Sequence, residues 1–259
     1  MLIFENINYA PLSGSAGKGD LYLPETSGTI RFPVLLIHGG GWCAMDKRDV
    51  CGIAHFLCSE LKIPVFNINY RLSTEAPWPA CGDDCLSAAN FLLNTSHSGF
   101  QGIDRRRIFV IGGSAGGHLA LMTGLRLPPC RVAGIISISG IAAPESDFAW
   151  DTARYTQLFQ HERVTREEMR SISPAVYLSK TSPAILCTHA KEDNVVPIQS
   201  TMDFLEATAR HNLVAESFFY SKEENGYSHR IWIPNSVPHK LYPELEECIA
   251  GFIRRRVQS

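Results

Sequence analysis

The sequence predicts an α/β fold, a mostly parallel central sheet with helices on both faces. Three observations carry that reading. From residue 32 to the end, short apolar runs rich in strand formers alternate with segments of helical periodicity. Those runs are apolar at nearly every position, as strands buried on both faces must be. A chain of 259 residues with 45% hydrophobic and 19% charged side chains can also fill a core of that size.

Taken in order, residues 2–10 and 20–23 read as an antiparallel edge pair feeding the sheet. Strands follow at 32–38, 63–70, 107–112, 132–139, 183–188 and 214–220, each bounded by turn residues. Val50, Ile53, Ala54, Leu57, Cys58 and Leu61 form one apolar stripe at helical spacing. Leu241, Leu245, Cys248, Ile249, Phe252 and Ile253 form another in a closing helix, and 84–93 and 114–125 are shorter helical segments. One stretch, 141–180, breaks the alternation with Trp150, Tyr155, Phe159 and Arg166-Glu167-Glu168. It reads either as a small helical lid over a pocket or as a crossover with extra turns. The expectation is one domain over 1–259, with a possible lid insertion at 141–180.

Charge excludes several classes of partner. With 24 Lys+Arg against 26 Asp+Glu the net charge is −2, which leaves no footprint for nucleic acid or an anionic membrane. Arg105-Arg106-Arg107 is too short a basic run to change this and reads as a solvated strand entrance. No stretch approaches the ~20 apolar residues of a membrane span. The N-terminus Met1-Leu2-Ile3-Phe4 lacks a basic region and a long apolar one, so no signal peptide is read and the expected location is cytoplasmic; a secreted mature form with a trimmed leader is the other reading. Eight cysteines without a C-x-x-C pair read as reduced, largely core thiols, with Cys81 and Cys85 spaced for one helix face.

Chemistry concentrates at strand ends. Gly112-Gly113-Ser114-Ala115-Gly116-Gly117 holds G-x-S-x-G directly after one strand and before a helix. A nucleophilic serine needs a strained strand-to-helix turn, with glycines leaving room on either side, and the helix N-terminus supports negative charge at the reacting centre. His38-Gly39-Gly40-Gly41-Trp42 follows an earlier strand, and its glycines let backbone N–H groups approach a substrate oxyanion. These two motifs, with Asn69-Tyr70-Arg71-Leu72-Ser73 and Glu75-Ala76-Pro77-Trp78-Pro79-Ala80, resemble the esterase/lipase branch of the α/β-hydrolase superfamily. The chain is similar to the hormone-sensitive-lipase-like esterases and, more closely, to the small BD-FAE-like ones.

That resemblance implies an α/β-hydrolase fold, an acid after the strand at 183–188 and a histidine after the strand at 214–220. His189-Ala190-Lys191-Glu192-Asp193-Asn194-Val195-Val196-Pro197 matches the family's H-G-x-x-D-x-x-V-P pattern, with Ala190 in place of the usual glycine. Asp193 thereby takes the acid role, Glu192 being its competitor, and His189 reads as a structural turn residue. His229, in Gly226-Tyr227-Ser228-His229, falls where the family's base lies, without the family's usual G-x-G-H-G-F wording; His239 is its nearby rival. The implied catalytic set is Ser114, Asp193 and His229, with Gly40, Gly41 and Ala115 as oxyanion donors; Trp42, adjacent to that loop, reads as a substrate-binding residue, with core packing as the other reading. The mechanism requires neither a metal nor an organic cofactor.

The expected activity is a serine carboxylesterase acting on short-acyl esters, small molecules or acetyl and feruloyl esters of carbohydrates. Because the oxyanion motif begins at residue 38, no helical cap like that of larger lipase-like relatives fits ahead of it, and the pocket should be open or covered only by 141–180. H-G-G-x-W also fits kynurenine formamidases, which use the same triad on an N-formyl amide. A third reading, from another class, is a ligand receptor related to these esterases that has lost hydrolysis. The oligomeric state is not legible.

Overall fold

The computed structural model describes residues 1–12, 14–26, 32–148, 152–213, 215–221, 229, 231–233 and 241–257. Its strands are β1 (Leu2–Asn8), β2 (Lys18–Leu23), β3 (Val34–Ile37), β4 (Val65–Ile68), β5 (Ile108–Gly113), β6 (Val132–Ile138), β7 (Ile185–Ala190) and β8 (Ala215–Tyr220). They form one sheet in the order β1-β2-β4-β3-β5-β6-β7-β8. Only the β1–β2 and β2–β4 pairings are antiparallel; from β4 to β8 every pairing is parallel. The edge hairpin and the parallel sheet are those the sequence predicts.

Why the strands are apolar throughout is visible in β3. Leu35 and Ile37 join a core with Phe66, Val110, Cys85, Ala89 and Leu119, while Val34 and Leu36 join a second with Ile53, Ala54, Ile111, Leu245 and Phe252. Alternate side chains point to opposite faces, so a strand covered on both sides needs an apolar residue at each position. The first face carries α2 (Ala80–Asn94), α3 (Ala115–Arg126) and α7 (Ile198–Arg210); the second carries α1 (Cys51–His55) and α8 (Pro243–Val257). From β3 the chain steps one way to β4 through α1, then back past β3 to β5 through α2. Right-handed crossovers in opposite directions put α1 and α2 on opposite faces, and a crevice opens at the carboxyl ends of β3 and β5.

Some elements differ from the sequence reading. The stripe at 50–61 is not one regular helix: a 3-10 turn (Lys47–Val50) leads into α1, and Phe56–Glu60 is a π turn. Helix α7 goes unread in the sequence because its buried face is Ser200, Thr201, Phe204 and Thr208, too polar to register as an apolar stripe. Strand β7 runs on through His189 and Ala190. The segment 141–180 contains α4 (Pro144–Phe148), α5 (Thr152–Phe159), α6 (Arg166–Ser171) and a 3-10 turn (Pro174–Tyr177). Its Tyr155, Leu158, Met169 and Ile172 are buried in the first core. Polar ties add to that packing: Trp78 N–H donates to the Leu158 carbonyl (2.9 Å), Gln160 Nε2 to the Ser73 carbonyl (2.6 Å), and Ala143 N–H to Ser200 Oγ (2.9 Å).

Of the basic run, only Arg106 is exposed; Arg105 donates to the Thr95 carbonyl beyond α2 and Arg107 to the Val132 carbonyl. All eight cysteines are free thiols, with Cys81 and Cys85 buried together on α2. Among the described residues no helix is long and apolar enough to cross a membrane.

Candidate active site

Ser114 stands between β5 and α3 at φ 55°, ψ −124°, a left-handed conformation that a residue with a Cβ adopts only under strain. The turn is feasible because Gly112 and Gly116, two positions away on either side, lack side chains. A Cβ on Gly112 would collide with the Gly116 carbonyl, and one on Gly116 would collide with the Ile37 carbonyl. The turn is then fixed by backbone bonds: Ser114 N–H donates to the Ile138 carbonyl (2.9 Å) and His118 N–H to the Ser114 carbonyl (3.1 Å).

Across the β3–β5 pairing, the loop after β3 runs beside this turn. Gly40, Gly41 and Trp42 have φ values of 101°, 59° and 61°, three left-handed residues in succession that fold the loop back on itself. The carbonyl of Gly40 closes the turn by accepting from the N–H groups of Cys43 (3.1 Å) and Ala44 (3.0 Å). His38 steadies the loop from below. Its ring stacks on Tyr70 at 4.2 Å and its Nδ1 donates to the Gly39 carbonyl (2.8 Å), while Tyr70 Oη donates to the His38 carbonyl (3.1 Å). Burial pushes the His38 imidazolium down to about 4, so the ring stays neutral. Among the described residues, the N–H groups of Gly40, Gly41 and Ala115 have no acceptor.

Asp193 and His229 complete a continuous hydrogen-bond chain to Ser114. Asp193 Oδ2 lies 2.8 Å from His229 Nδ1, and His229 Nε2 lies 2.9 Å from Ser114 Oγ. The other oxygen, Oδ1, accepts from the N–H groups of Val195 (2.9 Å) and Val196 (3.0 Å). Burial alone would raise the Asp193 carboxyl, but hydrogen bonds from His189 and His229 and the charge interaction with His229 outweigh it and hold the group well below the usual carboxylate range. An ionised Asp193 accepts a hydrogen bond from Nδ1–H, which keeps the hydrogen on that nitrogen and leaves Nε2 bare towards the serine. Such a chain can take the hydroxyl proton as the serine oxygen bonds to carbon. His189, a strand residue of β7 and not the turn residue the sequence suggests, sits behind the acid with Nε2 donating to the Val196 carbonyl (2.9 Å) and 3.3 Å from Asp193 Oδ2.

The sequence-derived residues therefore converge, with one correction. Trp42 is 0% exposed; its ring meets His118 at 5.2 Å and Tyr155 at 5.8 Å, so it packs beneath the loop and presents no face to a substrate. The fold-back of the loop drives the indole inward. Glu192 accepts from Ser221 Oγ (3.0 Å) and takes no part in the chain of bonds to Ser114. His239 and Trp150 lie outside the described residues. Two further side chains support the site, and sequence reading gave neither its partners. Asp84, read as a helix start, is buried and receives Arg71 through its N–H (2.9 Å) and its guanidinium (2.6 Å), fixing the chain just after Tyr70. Trp232 covers Gly39 and Gly113, where added Cβ atoms would each lie 2.5 Å from its ring, and meets His229 edge-on at 6.4 Å. Neither pairing has a short-range pattern to betray it.

The BD-FAE family model matches residues 19–128. Among curated proteins, the versiconal hemiacetal acetate esterase of Emericella nidulans is 30% identical over 165 residues, 59% of this chain and 54% of that one. The hormone-sensitive lipase of Mus musculus is 33% identical over 103 residues, covering 40% of this chain and 13% of the lipase. The chain thus spans about half or less of the length of these relatives. Among solved structures, a truncated carbohydrate esterase from gut microbiota superposes with a TM-score of 0.80 over 100% of this chain and 97% of its own, at 22% identity, which speaks for the fold alone. The model of the prolyl oligopeptidase family matches residues 79–236, more than half of the sequence and the stretch that carries Ser114, Asp193 and His229. The chain belongs to the prolyl oligopeptidase family and has the α/β-hydrolase fold.

Proposed function

We propose that this protein is a serine carboxylesterase that removes short acyl groups, acetyl above all, from small or carbohydrate alcohols. The reading rests on the 2.9 Å contact between Ser114 Oγ and His229 Nε2, in a histidine whose other nitrogen is bound to a buried carboxylate. Ser114 Oγ attacks the ester carbonyl carbon while its proton passes to His229 Nε2, and Asp193 stabilises the imidazolium. The carbonyl oxygen, now an oxyanion, is received by the N–H groups of Gly40, Gly41 and Ala115, each such donor worth ~3–4 kcal/mol in related sites. Collapse of the tetrahedral species returns the proton to the leaving alcohol and leaves an acyl-Ser114. Water, deprotonated by the same imidazole, releases the acid.

The acetyl and carbohydrate choice draws support from similarity: one relative is named as an acetate esterase and one structural neighbour as a carbohydrate esterase. A hydrolysis screen tests it. The arms are p-nitrophenyl acetate, acetylated xylan, a feruloyl ester, N-formylkynurenine and a prolyl p-nitroanilide, each with wild type and Ser114→Ala. The expected result is Ser114-dependent turnover with kcat/KM highest on the acetyl esters. A preference for N-formylkynurenine would make the protein a formamidase, one for the anilide a peptidase, and no turnover on any arm a binding protein.

A further inference from the structure

We propose that His118 is a positioning residue for this reaction, holding the 38–44 loop and helix α3 in one register by accepting the Trp42 indole N–H while donating its own N–H to the Ile172 carbonyl. The proposal rests on the esterase reading, since it gives a purpose to that loop. Trp42 Nε1 lies 3.2 Å from His118 Nδ1, and His118 Nε2 lies 2.7 Å from the Ile172 oxygen. Both partners have fixed roles: an indole N–H only donates and a carbonyl only accepts. The ring must therefore be neutral, with its hydrogen on Nε2. Burial pushes its imidazolium down to about 4, which keeps that form through the neutral range.

Three pieces of the site meet at this one ring. His118 lies one helical turn beyond Ser114, and its own N–H donates to the Ser114 carbonyl (3.1 Å). Trp42 belongs to the loop that carries Gly40 and Gly41, and its carbonyl is in turn held by Ser73 N–H (2.7 Å). Ile172 belongs to the 141–180 segment and is itself buried. A phenylalanine or leucine would fill the same space in an apolar core without the cost of burying an imidazole. What the imidazole adds is direction: the loop cannot slide along α3 without breaking the indole bond and leaving a buried donor unpaired.

The test uses His118→Phe, His118→Asn, Trp42→Phe and the His118→Phe/Trp42→Phe pair, with Ser114→Ala alongside. All are assayed on p-nitrophenyl acetate at a fixed interval below each variant's own melting temperature. Loss of a whole oxyanion donor costs ~10²–10³ in kcat, so a loosened loop should cost about 10–100-fold for His118→Phe and for Trp42→Phe, with KM within about twofold. The pair should fall no further than the worse single variant, because both remove one bond. His118→Asn places an amide oxygen near the position of Nδ1 and should keep kcat within about fivefold of wild type. Additive losses in the pair, equal kcat for Asn and Phe, or a change confined to KM and melting temperature would overturn the proposal. Should His118→Phe fail to fold, wild-type kcat in Trp42→Phe would overturn it as surely. Activity retained by Ser114→Ala would sink the esterase reading itself; loss there with wild-type behaviour at His118 and Trp42 sinks only this inference.

Discussion

Gly116 and His38 approach so closely that a Cβ on the glycine would stand 2.5 Å from the histidine's carbonyl oxygen. The first turn of α3 is thereby seated against the base of the oxyanion loop, and neither can be displaced without the other. Gly116→Ala should separate them. Overpacking of this kind typically costs ~1–3 kcal/mol, and here the clash is with backbone, which has little freedom to yield. The expected outcome is a fall in melting temperature together with at least ~100-fold lower kcat on p-nitrophenyl acetate, read by thermal denaturation and steady-state kinetics. Gly251→Ala on α8 is the contrast: its Cβ would meet only the flexible end of Arg255, and helix propensity favours alanine by ~1 kcal/mol. That variant should be as active as wild type and no less stable.

Ser114→Ala and His229→Ala should each lower turnover by ~10⁴–10⁶, and the double variant should be little worse, because the pair acts as one unit. Asp193→Asn should cost less but still heavily, through a wrong tautomer at His229. Near-normal activity in His229→Ala with loss in His239→Ala would reassign the base.

Acid should destabilise the fold before the carboxylates titrate. His38 and His118 are held neutral, each at about 4 against an ordinary 6.5. Between those values the unfolded chain binds a proton at each ring and the folded chain does not, so the stability they confer is complete above pH 6.5 and is lost as pH falls towards 4. The loss amounts to about 3 kcal/mol per ring over the whole window. Chemical denaturation at pH 7, 6, 5 and 4.5 should show a steady fall, and His118→Asn should roughly halve its slope. A flat profile over this range would mean that the rings are not kept neutral by burial.

Acyl length should matter steeply. Ser114 is 6% exposed, and Trp42, Tyr155 and Leu158 are fully buried, Tyr155 against the Trp42 ring. Each added methylene gains ~0.8 kcal/mol only while it finds a dry place to lie. Hydrolysis of p-nitrophenyl esters should therefore peak between acetate and butyrate and be weak at decanoate. A maximum at dodecanoate would require the 141–180 segment to swing away, against its ties to Ser73, Trp78 and Ser200.

The strands and the residues that meet at the site were legible because each leaves a local trace. Continuous apolar runs betray strands buried on both faces, and Gly112, Ser114 and Gly116 betray a turn that tolerates no Cβ at its flanks. His229 was harder, since its immediate neighbours lack the family's wording, and only its place after β8 pointed to it. What stayed hidden depends on partners distant in the chain. Helix α7 buries serine and threonine because Ser200 serves the Ala143 backbone and Thr201 the His189 ring, which no periodicity of apolar residues can announce. Trp42 looked like a contact for substrate because it adjoins the oxyanion glycines, yet its burial depends on His118 and Tyr155, 76 and 113 positions further on.

The parallel pairing of Ile37 with Gly112 makes the sheet a ruler. Neighbouring strands are held ~4.8 Å apart by their hydrogen bonds, so the step between the ends of β3 and β5, from which the 38–44 loop and the serine turn spring, is set by backbone geometry. Substitutions in the covering helices away from Gly116 and His118 can reshape the walls of the site without altering that step. The walls around Ser114 are thus side-chain features, while the spacing of the two strand ends beneath them belongs to the peptide backbone itself.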